Sequence, residues 1–521
     1  MDHTVRGLIE LRDLFVRFVA AVYAVIFMSC GASVAFAADT SAPKATPQPT
    51  DRVKLGATLR AFYFTRSNAC CYPKRSSTMP ADPRGGANQN AAAFNLGGKI
   101  HAEYLLGNTP LSLGATYFGA ESFGANDSRR NDPSAGYTPG FDPCLGKAAG
   151  FNPCVDNTLP GFALSSLGEM YLQYKTKWIT AQIGKESINT PWANPSDSRI
   201  VPVTFQGATL AINFAPGWTA MAMRMARWKN RTSSSFDANS LLCNQAPTPA
   251  NFPAAACKQP QAGPGTPTSG FLLLGLSRKF SPYLTASAYN YEFYDLANMT
   301  HIEAKYNYSP KSPLNPYVAG QYIAESDTGR AIVGAIHNHT LGAQLGASFS
   351  KNIDAALSYN SAPLVTYVTA SPASIFLPVG GTPATGASVP GAPAGTKFLY
   401  GGGVASPYTD SYATDPLYTT SITQGMADRR SAGSAIKLAV TAYTNDRHVR
   451  GILSRAIYDY STPAGTSKAA ETNVDLTYFL NKIDPKKPYS GLSLRHRLAI
   501  RDQTQSPFTF IYNRTQLEYS F

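Results

Sequence analysis

The sequence predicts an all-β fold, a transmembrane antiparallel β-barrel of about 18 strands with short periplasmic turns and long extracellular loops. Three observations carry this. The chain is aromatic-rich and charge-poor: of 521 residues, 11% are aromatic and 15% charged, against about 25% charged in average soluble proteins. Its mean hydropathy is only −0.17, so it lacks the repeated apolar runs of a helical membrane protein. Segments of about ten alternating residues recur along its length, separated by turns and loops of two very different sizes. Length alone would suggest roughly three soluble domains.

The N-terminus reads as a targeting segment. Arg6, Arg12 and Arg17 precede an apolar run from Phe18 to Met28, and Ala35, Phe36 and Ala37 offer an A-x-A cleavage site. Residues 1–37 are expected to be a signal peptide and 38–50 a short periplasmic segment before a barrel over 51–521. A transmembrane anchor and lipid attachment at Cys30 are the alternatives. After residue 37 no run of 18 apolar residues follows. A mature chain that enters a membrane must then do so as a closed barrel, which satisfies its own backbone.

The first strand sets the pattern. Val53, Leu55, Ala57, Leu59, Ala61 and Tyr63 share one face; Lys54, Gly56, Thr58, Arg60, Phe62 and Phe64 share the other. Next, Phe94, Leu96, Ile100, Ala102 and Tyr104 oppose Asn95, Lys99, His101 and Glu103. Leu111, Leu113, Ala115 and Tyr117 oppose Ser112, Gly114 and Thr116. A soluble sandwich would bury the apolar face; a barrel turns it to lipid. Alternation alone does not separate these.

Loop lengths do. Tight turns fall at 108–110, 176–177, 215–217, 281–282, 310–316, 351–352, 445–446 and 484–487. Between them lie connections near 67–90, 121–164, 187–207, 229–269, 295–299, 326–338, 362–434, 461–470 and 502–506. All the very long ones lie on one rim, which is the outer-membrane arrangement. The stretch 362–434 is rich in Ala, Gly, Pro, Ser and Thr. It reads as a large surface loop, or one folded over or into the mouth. The last strand runs through Phe510, Ile511 and Tyr512 to Leu517, Tyr519 and Phe521, an ending that resembles the C-terminal strand of outer-membrane proteins.

Six cysteines follow the leader: Cys70, Cys71, Cys144, Cys154, Cys243 and Cys257. All are expected in outer loops and none in a strand. Disulfides Cys144–Cys154 and Cys243–Cys257 suit an oxidising compartment, although six cysteines permit 15 pairings. No histidine clusters with them, so neither metal nor cofactor is expected.

Near the C-terminus, Leu492, Leu494, Leu498 and Ile500 share a lipid face with His496. Ser493, Arg495, Arg497 and Arg501 share the other. Arginine at the bilayer midplane costs about 2–4 kcal/mol, so these three must face water as a basic ladder. Arg450 joins them from another strand, with Ile452, Ser454 and Ala456 on its face and Arg455 on the alternate one. Guanidinium groups hold carboxylates bidentately. The ladder would attract small anions, or serve only as solvated charge in a general diffusion pore.

The run Thr190, Pro191, Trp192, Ala193, Asn194, Pro195, Ser196, Asp197, Ser198, Arg199, Ile200, Val201, Pro202, followed by Thr204, Phe205, Gln206 and Gly207, resembles the signature of OprD-type porins, substrate-specific outer-membrane carboxylate channels. The opening Leu59 to Arg66 and the segment Gly491 to Arg497 resemble that family too. The resemblance implies an 18-stranded monomeric barrel in the outer membrane of a Gram-negative bacterium. In it the loop at 187–207 folds inward with the long seventh loop, putting Arg199, Asp197 and Ser198 at the constriction. Arg495 and Arg497 match the family's basic ladder, whereas the loop cysteines and the very long seventh loop depart from it.

Other classes fit less well. No G-x-S-x-G elbow sets a histidine beside a nucleophile, so catalysis is not expected. Net charge is +13, but it is spread without a dense run, which argues against nucleic acid. About 13 residues between the leader and the first strand are too few for a plug of an energy-coupled transporter. An adhesin using its long loops stays open. The expected partners are outer-membrane lipid and small anionic solutes.

Overall fold

The computed structural model describes residues 52–70, 89–121, 123, 163–196, 199–231, 233–243, 265–330, 335–365, 375–377, 398–409, 414–429, 432–462, 465–480, 491–503 and 509–520. The strands are β1 (Val53–Cys70), β2 (Gln89–Leu105), β3 (Leu111–Glu121), β4 (Leu164–Lys175), β5 (Ile179–Glu186), β6 (Thr204–Ala215), β7 (Trp218–Lys229), β8 (Asn239–Cys243), β9 (Gly265–Pro267), β10 (Phe271–Lys279) and β11 (Leu284–Phe293). They continue as β12 (Ala297–Asn307), β13 (Asn315–Asp327), β14 (Ala335–Ser350), β15 (Ile353–Ala362), β16 (Ile375–Leu377), β17 (Phe398–Gly401), β18 (Ala432–Tyr443), β19 (Val449–Thr462), β20 (Gly465–Phe479), β21 (Gly491–Gln503) and β22 (Phe510–Ser520).

Four of these lie outside the wall. β8 and β9 form a separate hairpin, and β16 and β17 are short parallel additions beside β14. The other eighteen pair antiparallel, each with its neighbour along the chain, and β1 closes the ring on β22 with Tyr63 opposite Thr515. Closure removes every open edge, which a lipid-facing sheet requires.

The faces follow the sequence alternation. On β1, Leu55 is 76% exposed while Phe62 and Phe64 are fully buried. Exposed apolar residues therefore look outward and buried ones look into the lumen. Aromatic side chains, among them Trp178, Phe214, Phe280, Tyr306, Tyr478 and Tyr519, are exposed near the short-turn ends of their strands. That is the interfacial girdle. Turn chemistry sets the rim: Pro216 precedes Gly217, whose φ of 76° suits the third position of a tight turn. Gly98 lies on β2 with φ 151°, and a Cβ there would sit 1.8 Å from the Thr58 carbonyl oxygen. Only glycine lets these two strands approach.

One expectation about the cysteines is corrected. Cys70 ends β1 and Cys243 ends β8, so two of the six belong to strands. Barrel strands extend beyond the membrane, and the alternating run before Cys70 continues pairing with β2. Cys71, Cys144, Cys154 and Cys257 lie outside the described residues, as do the leader and 38–50.

Candidate functional site

The lumen is narrowed from two directions. The described residues 188–196 and 199–203 turn inward between β5 and β6. Thr190 N–H donates to the Ala193 carbonyl at 2.8 Å, and Val203 N–H donates to that of Pro195 at 2.8 Å. Trp192 is fully buried, and its backbone N–H donates to the Tyr291 hydroxyl at 3.1 Å. The apolar residues of this loop divide between two cores inside the barrel. Ile188, Trp192 and Ala193 join Met225, Phe271 and Tyr291 on one side. Ile200 and Val201 join Phe62, Phe64 and Phe118 on the other. A loop packed this way is fixed by hydrophobic burial on both flanks.

The second intrusion is the end of the long loop. Residues 402–409 are all buried, and most of 414–427 are buried too. The small-residue stretch therefore sends its last part into the lumen, the second of the two alternatives its composition left open. Barrel side chains hold it along its length. Ala405 N–H donates to Glu325 at 2.8 Å. The Tyr408 hydroxyl pairs with that of Thr268 at 2.8 Å, and burial pushes its pKa up to about 12. Thr419 N–H donates to Asn360 Oδ1 at 3.0 Å. Thr423 N–H donates to Glu471 at 3.0 Å. The two intrusions also touch: the Thr409 hydroxyl donates to the Trp192 carbonyl at 2.8 Å, and Asn194 Nδ2 to that of Thr414 at 2.9 Å. Where they meet, Asn189, Thr190, Asn194, Ser196, Thr414 and Pro416 line a cleft of about 480 Å³.

The ladder arginines lie on the inner wall, and each has a partner. Arg495 clasps Asp475 with both Nε (2.8 Å) and Nη2 (2.6 Å). Arg497 Nε donates to the same carboxylate at 2.9 Å. One carboxylate thus restrains two cations. Arg450 Nη2 reaches Thr477 Oγ1 at 3.4 Å. Arg501 is 5% exposed, donates to the Thr423 carbonyl at 3.1 Å and stacks 4.3 Å over Phe510. It anchors the long loop rather than meeting the open lumen. Arg455 and His496 point outward, bonded to Thr472 at 2.8 Å and Thr515 at 3.0 Å.

Arg199 sits on the inward loop, 6% exposed, with its guanidinium 5.8 Å from the Phe64 ring. Its carbonyl accepts from Arg60 Nη1 at 3.0 Å, while Arg60 Nε donates to Glu518 at 2.7 Å. Arg60 thereby ties the inward loop to the wall. Asp197 and Ser198 lie outside the described residues.

Residues that ladder reasoning missed include Arg60, Arg514 and Asp475. Arg514 faces inward from β22, 1% exposed and 4.8 Å over Phe62. Alternation with Phe510 and Tyr512 carried its direction. Asp475 needed the strand register, which sets it opposite Arg497. Among the described residues no three His, Cys, Asp or Glu side chains gather as metal ligands.

Among the described residues, eighteen antiparallel strands make a closed barrel that inward loops narrow. Residues 160–361 match the model of a family described as outer membrane porin, OprD family. A search of curated proteins finds no match. Among solved structures the barrel is similar to Pseudomonas aeruginosa OccK9 (OpdG), with a TM-score of 0.60 at 16% identity, covering 91% of this chain and 100% of that one. It is also similar to P. aeruginosa OpdK with vanillate (TM-score 0.58, 13% identity, 90% and 99% covered). A BenF-like porin from Pseudomonas fluorescens Pf-5 gives a TM-score of 0.60 at 12% identity, with 90% and 99% covered. Residues 160–361 thus resemble an outer-membrane porin family, and the whole barrel shares the fold of these solved structures.

Proposed function

We propose that the chain is an outer-membrane porin of the OprD type that gives passive, substrate-selective diffusion to small carboxylate-bearing solutes such as amino acids, peptides and aromatic or other organic acids. The observation that carries this is the imbalance of charge on one inner wall. Arg60, Arg450, Arg495, Arg497 and Arg514 face inward from β1, β19, β21 and β22, and the ion pairs among them use Asp475 and Glu518. A low-dielectric tube with surplus guanidinium raises the local concentration of anions. The vanillate in the OpdK structure is a carboxylate bound by that protein; it supports the class, not the choice of substrate.

Several further assignments belong to this reading. Arg199, Asp197 and Ser198 shape the constriction within a loop at 187–207. Arg450, Arg495, Arg497 and Arg501 mark the anion path, with Arg501 acting through the loop it holds. Residues 1–37 are removed on export, 38–50 stay in the periplasm, and cysteines pair as Cys144–Cys154 and Cys243–Cys257. The barrel works as a monomer in outer-membrane lipid.

Substituting Arg495→Ala together with Arg497→Ala tests the proposal. Glucuronate flux into liposomes should fall several-fold more than glucose flux. Equal loss of both would leave a general diffusion pore, a reading that the pairing of both arginines with Asp475 keeps open.

A further inference from the structure

The inner wall carries a second concentration of positive charge, away from the ladder. Lys279 ends β10 and Lys305 lies near the end of β12, both at the periplasmic rim. Their direction follows from alternation. Lys279 shares its face with Leu273, which is fully buried in the inner core, and Lys305 shares its face with His301, which is 1% exposed. Both lysines line a cavity of about 630 Å³ with Asn213, Thr219, Ser277 and Ser287. The ammonium of Lys305 is 3.9 Å from the centre of the Tyr317 ring, which steadies it without neutralising it. Thr219 Oγ1 donates to Asn213 Oδ1 at 2.7 Å. Lys177 and Arg278 complete the cations of the lining, Arg278 being stacked on Trp218 at 4.4 Å, so Lys279 and Lys305 are the two that share a face with the inner core.

Glu303 also lines this cavity and shares the face of Lys305, two residues further from the rim. A negative group above and positive groups below would draw an anion towards the periplasm and keep its binding weak. Weak, repeated binding is what conduction needs. Around the ring, β10 and β12 lie six to nine strands from β20 and β21 in a barrel of eighteen, across the lumen from the ladder.

We propose that this cavity is a carboxylate site at the periplasmic mouth, a low-affinity exit station separate from the ladder. The proposal rests on the carboxylate-channel reading. The test is single-channel recording in planar bilayers with glucuronate added on the periplasmic side. Lys279→Ala with Lys305→Ala should raise the glucuronate concentration for half-block from that side by about three- to fivefold, the effect of losing an exposed ion contact. Block from the extracellular side should change less. Heat-modifiable migration on gels confirms the folded barrel, and Lys279→Gln with Lys305→Gln replaces the alanine pair if that fails to fold. An unchanged periplasmic half-block, in a protein whose block does respond to Arg495→Ala with Arg497→Ala, overturns the exit site alone. If neither pair shifts the block, or glucuronate does not block at all, the carboxylate reading falls with it.

Discussion

Asp475 decides how much of the ladder is available. It accepts from Arg495 twice and from Arg497 once, so it sets both the direction and the net charge of the pair. Asp475→Asn keeps the shape and removes the charge. The anion-to-cation permeability ratio, read from the reversal potential in a salt gradient, should rise several-fold. A lower ratio would mean that the arginines need the carboxylate to hold them in the path. Asp446 illustrates a different effect in the periplasmic turn. The hydroxyl of Thr444 and the N–H of His448 hold its carboxyl below the usual carboxylate range. A lowered pKa gives stability present above the unfolded value and lost as pH falls through the folded one. The turn should therefore be insensitive to pH between about 5 and 8 and weaken only below about 4. Thermal unfolding of Asp446→Asn against the parent, followed with pH, should show the difference vanish in acid.

Elements carry the constriction. Trp192 fixes the inward loop through full burial and its backbone bond to Tyr291. Replacing a buried tryptophan by alanine costs about 3–5 kcal/mol, here charged to the loop and not to the barrel wall. Trp192→Ala should leave the barrel folded on gels while raising conductance and current noise. Removing 402–427 should raise conductance further, because that arm occupies the lumen. Unchanged conductance in both would mean that the loops do not limit the path. These elements also mark what the sequence could and could not disclose. Alternation placed Leu55 outside and Phe62 inside correctly, and turns such as 215–217 and 281–282 lie where their Pro or Gly signals stand, whereas the turns at 176–178 and 294–296 carry none of Pro, Gly or Asn. It also set Arg495 and Arg497 on the inner wall. It could not pair them with Asp475, since register across β20 and β21 depends on closure of the whole ring. Nor could it choose between a loop over the mouth and one inside it. The small residues of 402–427 permit either, and the choice falls to distant partners such as Glu325, Asn360 and Glu471.

At the scale of the molecule, the near-neutral hydropathy is the average of two opposed faces. Lipid and girdle residues line the outside, while the inside holds two apolar cores and inward-facing charged side chains. The wall is rigid because every strand has two neighbours; selectivity comes from what projects inward. Charge on that inner surface is unevenly placed, with guanidinium groups gathered on β1, β19, β21 and β22. That placement makes a definite claim about transport. The most direct check is paired flux into liposomes of glucuronate and glucose, which match in size and differ in charge. Faster glucuronate uptake that Arg495→Ala with Arg497→Ala brings down to the glucose rate is the predicted result. Equal uptake of both solutes by the unaltered protein would contradict a carboxylate-selective channel.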